Sequence, residues 1–278
     1  MSNDGRPARP RRDTTSRAAG PQRREPAQRG RLDRRPDRRP ARAATPEERT
    51  AEQARYDGPP LDAEITGREL DRNVRQQLRG LPEKLATRVA RHLVAAGLLI
   101  DQDPQTAYAH ALAARARAAR IAVVREACGE AAYAAGEFAE ALSELRAAKR
   151  MNGAADYLPM MADCERALGR PERALALARD PAVEGLDQAL QAEMTIVEAG
   201  ARRDLGQVDA ALRLLEAAPL RSRTRAEWVV RLRYAYADIL EAAGRPADAL
   251  EWFHRTVAVD GEGSTDADER AAALEPRA

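Results

Sequence analysis

Apolar positions divide this chain sharply. Leu32 is the only Leu, Ile or Val before Leu61, and residues 1–60 are otherwise rich in Arg, Pro, Gly, Ala, Thr and acids. A stretch so poor in apolar side chains cannot offset its ordering entropy, so the pattern predicts a disordered arm over 1–60. From Leu61 onward apolar residues recur at helical steps with short breaks. Leu70, Val74 and Leu78 mark one stripe and predict a helix over 66–79. Leu85, Val89 and Leu93 mark a second, opened by Pro82 and expected to end near Gly97. Asp103-Pro104 reads as an N-cap and first-turn proline for a third helix through Tyr108 and Leu112, so 82–118 is expected to form a first, divergent hairpin.

A repeated phrase organises the rest. Gly136-Glu-Phe138-Ala-Glu-Ala141-Leu142 returns as Gly169-Arg-Pro171-Glu-Arg-Ala174-Leu175. It returns again as Gly206-Gln-Val208-Asp-Ala-Ala211-Leu212 and as Gly244-Arg-Pro246-Ala-Asp-Ala249-Leu250. The glycine is placed to end one helix in a left-handed conformation, the residue two later to begin the next, and the small Ala to let the paired helices approach. Seven residues before each glycine stands another small residue: Gly129, Ala162, Ala199 and Ala237. Hairpins are therefore expected at 121–152, 155–180, 187–218 and 224–259, with Asn152-Gly153, Asp180-Pro181 and Pro219 between them. A period in the thirties means helical hairpins that bury their apolar faces only by stacking. Thr265-x-x-Asp268 has capping-box form and predicts a short final helix, Ala267–Leu274. The expected organisation is an arm (1–60), divergent helices (61–120), repeats (121–260) and a terminal segment (261–278).

Charge changes the picture at one end. The chain has 278 residues and a net charge of +2, yet residues 1–42 hold 14 Arg against five acids, leaving the remainder acidic. Arg34, Arg35, Arg38 and Arg39 form the densest basic stretch, interrupted by Asp33 and Asp37. Such an arm has three readings: a solubilising tail, weak non-specific contact with RNA or DNA phosphates, or docking of 1–45 on the acidic body.

Catalytic chemistry is missing from the sequence. It has no Gly-rich phosphate loop, no nucleophile elbow and no HExxH, so no catalytic residue, metal or cofactor is expected. His92, His110 and His254 stand far apart and read as helix-face side chains; Cys128 and Cys164 read as small apolar residues of a reduced compartment. No apolar run approaches the roughly 20 residues that span a bilayer, so no membrane association and a cytoplasmic location are expected.

The phrase, the paired small residues and the period resemble the tetratricopeptide repeat (TPR). The resemblance is strong over 121–152 and 224–259, moderate between them and weak over 61–120. It implies an all-α, right-handed α-solenoid of antiparallel helix pairs acting as a non-catalytic protein-interaction scaffold. Two departures stand out: the first-helix Trp and Tyr common in the family are mostly absent, and Pro171 and Pro246 replace an aromatic. The resemblance also implies a concave groove lined by the first helix of each hairpin. Its expected lining is Glu126, Glu130, Tyr133, Asp156, Asp163, Arg166, Glu193, Ile196, Arg203, Arg231, Tyr234 and Asp238. Six acids against three Arg make this set net acidic, so its expected partner is a basic segment of another protein. Glu126 and Glu130 stand where a carboxylate-clamp Lys and Asn would be needed, which argues against capture of a partner's C-terminus. The alternative is an RNA- or ribosome-associated factor that uses the arm for phosphate binding. Oligomeric state is left open.

Overall fold

A computed structural model describes residues 58–275, all within one unit of the chain. Twelve α-helices and no strand occur among the described residues. They are α1 (Arg72–Leu78), α2 (Glu83–Leu99), α3 (Pro104–Ala118), α4 (Ala122–Ala134), α5 (Phe138–Asn152) and α6 (Leu158–Ala167). The series continues with α7 (Pro171–Ala178), α8 (Gln188–Asp204), α9 (Val208–Glu216), α10 (Glu227–Ala242), α11 (Pro246–Val257) and α12 (Ala267–Leu274). Consecutive helices pair as α2/α3, α4/α5, α6/α7, α8/α9 and α10/α11, and first helices pack on the next first helices from α6 to α8 to α10. The result is an all-α stack of hairpins, as the repeat phrase requires.

The four turns share one geometry. Gly136, Gly169, Gly206 and Gly244 have φ between 71° and 78°, the left-handed region that a side chain enters only at a cost. After each glycine, the next N–H donates to the carbonyl five residues back: Glu137 to Ala132, Arg170 to Glu165, Gln207 to Arg202 and Arg245 to Leu240. Phe138, Pro171, Val208 and Pro246 are then the first residues of the second helices. Ala141, Ala174, Ala211 and Ala249 are fully buried. Across from them the small series is buried too, and the reason is explicit at Gly129. A Cβ there would lie 2.7 Å from two carbons of Leu145, so the glycine lets α4 and α5 touch through that leucine.

Some helix ends differ from expectation. The first helix begins at Arg72, because Thr66 is held by Glu69 and Asp71 accepts from the Asn73 N–H as N-cap. Residues 66–71 are thus occupied with side-chain bonds to backbone that compete with helix. The second helix passes through Gly97 to Leu99, since nothing after Gly97 stops it. Pro181 does end α7, giving an eight-residue helix followed by a 3-10 turn, Pro181–Gly185. Helix α12 spans the expected residues but lacks the capping box: Thr265 donates its N–H and hydroxyl to Asp260 instead.

The histidines require a correction. His92 on α2 and His110 on α3, 18 residues apart, are both buried, with their Nδ1 atoms 2.9 Å apart. The α2/α3 hairpin carries this pair in its interior, whereas His254 is exposed and 3.6 Å from Glu275. Both cysteines are buried and free, with thiol pKa values pushed up to about 12, chiefly by burial.

Two buried carboxylates, one on a second helix and one on the first helix that follows it, bind neighbouring helices of the stack. Glu144 on α5 is 2 % exposed and receives Arg115 of α3 at 2.5 Å and Arg125 of α4 at 2.7 Å. Glu165 on α6 is fully buried between Arg146 of α5 at 2.5 Å and Arg170 at 2.7 Å. A buried carboxylate between two guanidiniums is costly to leave half-paired, so these residues fix which helix meets which.

Candidate interaction groove

Helices α6, α8 and α10 each put one face into a common groove of about 780 Å³. Ten of the twelve residues proposed from sequence line it: Tyr133, Asp156, Asp163, Arg166, Glu193, Ile196, Arg203, Arg231, Tyr234 and Asp238. Glu126 and Glu130 lie on α4 outside that lining. Glu126 accepts a 2.8 Å bond from the Tyr157 hydroxyl. Burial, and then the charge of Glu126, push the Glu130 carboxyl above its ordinary range.

The two ends of the groove differ in chemistry. Towards the carboxyl ends of the first helices, charges interlock between neighbours. The Tyr133 hydroxyl donates to Asp163 at 2.5 Å, Asp163 accepts from Arg166 at 3.0 Å, and Arg166 reaches Asp204 of α8 at 3.4 Å. Arg203 of α8 pairs with Asp238 of α10, which also takes Arg270 of α12 at 3.1 Å. Tyr234 donates to Asp266 at 2.6 Å, and its phenol is pushed up to about 12, first by burial and then by that carboxylate. Burial works against the Arg166 cation, but Asp163 more than compensates and its pKa lies above the usual value. Gly200 makes room for that guanidinium: a Cβ there would lie 3.0 Å from an Arg166 terminal nitrogen.

Towards the amino ends the lining is apolar, made of Pro159, Met160, Leu190 and Trp228, with Ile196 and Val197 following midway along α8. Asp156 and Glu227 stand there exposed, with no hydrogen-bonded or ion-pair partner among the described residues. Between the two ends Arg231 grips Glu193 with two bonds of 2.6 and 2.7 Å.

The sequence treated all these charges as one acidic lining, and the pairing corrects that. Asp163, Glu193 and Asp238 are matched by Arg166, Arg231 and Arg203, so the unmatched acids are few and local. Trp228, Met160 and Leu190 were missed. Each stands at the start of a first helix, where apolar character is the only signal and does not distinguish a groove from a core. Arg34, Arg35, Arg38 and Arg39 lie outside the described residues, as does the whole proposed docking segment 1–45. No group of three or more potential metal ligands occurs among the described residues, nor any helix long and apolar enough to cross a membrane.

No curated protein matches the chain. Residues 159–260, from α6 past the end of α11, match the model of a family described as Tetratrico peptide repeat. That match spans 102 of the 278 residues and makes this segment similar to the tetratricopeptide repeat, and the same glycine turn and small-residue packing recur in the α4/α5 hairpin before it.

Proposed function

We propose that the protein is a scaffold that holds a peptide or short helix of a partner in the groove across α6, α8 and α10. The observation that carries this reading is the apolar end of the groove, bordered by the exposed carboxylates of Asp156 and Glu227. An apolar side chain of the ligand rests against Met160, Leu190 and Trp228, and a Lys or Arg beside it meets a carboxylate. Desolvating the apolar contact supplies most of the affinity, while the charge selects among partners. The interlocked end contributes shape rather than charge, because its guanidiniums and carboxylates already satisfy one another.

Display of random peptides against the full chain tests this. Enrichment of sequences pairing a large apolar residue with Lys or Arg is expected, and binding should fall at least tenfold, about 1.4 kcal/mol, in Ile196→Glu. Charge reversal of Asp156 and Glu227 to Lys should shift the enriched set towards acidic peptides. Enrichment that ignores both changes would refute the reading.

A further inference from the structure

A second surface is charged in the opposite sense. Between α9 and α10 the chain reads Pro219-Leu-Arg221-Ser-Arg223-Thr-Arg225, in neither helix nor strand from 222 to 226. Arg221, Arg223 and Arg225 are all exposed, and none forms a hydrogen bond or ion pair among the described residues. This sets them apart from Arg115, Arg125, Arg146, Arg166, Arg203 and Arg270, each of which holds a carboxylate.

The loop is held in shape from beneath. Arg233 of α10 donates to the Leu220 carbonyl at 2.9 Å, to the Ser222 carbonyl at 2.8 Å and to the Arg255 carbonyl at 3.2 Å. Leu220 is buried in the core that α9, α10 and α11 share, and the Ala226 N–H bonds to the Thr224 hydroxyl. Burial, and then the positive charge of Arg255, hold the Arg233 pKa below its usual value, as a crowded cationic region requires. Of the nearby acids, Glu216 accepts from Tyr236 and Glu251 is paired with Arg255, while Glu227 stands at the start of α10 and lines the groove.

We infer that the 219–226 loop is a phosphate-binding site for the backbone of a nucleic acid strand. Three arginines at alternate positions present planar, multi-donor forks that match phosphate oxygens better than ammonium groups do. The hydroxyls of Ser222 and Thr224 between them are a further source of donors to phosphate oxygens. The loop has no aromatic on which a base could stack, so contact is with the backbone and carries little sequence preference. A basic peptide in the groove and a strand on this loop use separate residues, so either can fail without the other.

Fluorescence anisotropy with a labelled 20-nucleotide single-stranded RNA, over a salt series on the full chain, tests the site. The arm keeps its arginines in every variant, so the difference between variants reads the loop alone. Replacing Arg221, Arg223 and Arg225 by Gln should weaken binding roughly tenfold at low salt and lower the log–log salt slope by about 2, three lost phosphate contacts at about 0.7 each. The triple Lys variant should keep the slope and lose part of the affinity. If the triple Gln variant loses helical circular dichroism, the single exposed change Arg223→Glu gives the readout, with weaker binding expected. Unchanged affinity and slope would overturn the assignment. So would competition by poly-glutamate as effective as that by unlabelled RNA of equal charge, which would make the loop a site for acidic protein segments.

Discussion

The α2/α3 hairpin and the four that follow reach the same architecture by different means. From α4 onward each hairpin is closed by a left-handed glycine and tightened by a small residue on either side of the helix contact. Between α2 and α3 no such glycine exists. Asp103 caps α3 with a 3.1 Å bond to the Thr106 N–H, and the interior holds a histidine pair. Arg91 ties the preceding segment to this hairpin through the carbonyls of Ile65 and Asp62. A repeat motif is therefore one solution to helix pairing. Polar bonds between side chain and backbone are another, and they leave no periodic trace in the sequence.

Substitutions can sharpen that contrast. The largest effect is expected where a motif hairpin is filled: Leu145→Ala removes a fully buried side chain and should cost about 3 kcal/mol, read by urea unfolding. Gly129→Val pushes a branched side chain into that same leucine, and about 2 kcal/mol of destabilisation is expected from overpacking. Ala substitutions of glycine should then split by region. At Gly136, with φ of 78°, Ala should cost about 1 kcal/mol although nothing crowds its Cβ. At Gly97, inside α2 and equally uncrowded, Ala should stabilise by about 0.5–1 kcal/mol, because an ordinary helical backbone gains a better helix former. Equal signs at the two positions would break the distinction.

The smallest effect is one of pH and belongs to α2/α3 alone. Burial lowers the His110 pKa below its unfolded value near 6.5. As pH falls through 6.5 the unfolded chain therefore takes up the proton first, and the hairpin loses stability below that point while remaining unaffected above it. Hydrogen exchange at pH 7.5 and pH 5.5 should show loosening of α2 and α3 but not of α10 and α11, and His110→Gln should remove the difference.

The parts of the structure readable from sequence were those carried by local chemistry. A glycine two residues before a second helix, or a proline after an aspartate, specifies its own backbone within a few residues. The short α7 was legible for that reason, whereas α12 falls where expected although the capping box that predicted it does not form, and the groove face followed once the small positions were turned inward. Interactions spanning a whole repeat were not legible. The bonds from Tyr133 to Asp163, Arg231 to Glu193 and Arg203 to Asp238 join residues 30, 38 and 35 positions apart. Which carboxylate meets which guanidinium there depends on how far each hairpin slides against the next. The same holds for His92 and His110, whose meeting requires the register of a hairpin with no motif to announce it.

The proposed function stands or falls on ligand entry at the face made by the opening turns of α6, α8 and α10. Hydrogen exchange of the full chain with and without a display-selected peptide measures this directly. Slowed exchange is expected around 156–163, 188–197 and 226–235, with α7, α9 and α11 unchanged. Slowing confined to those second helices, or no change in a chain shown to be saturated, would contradict it.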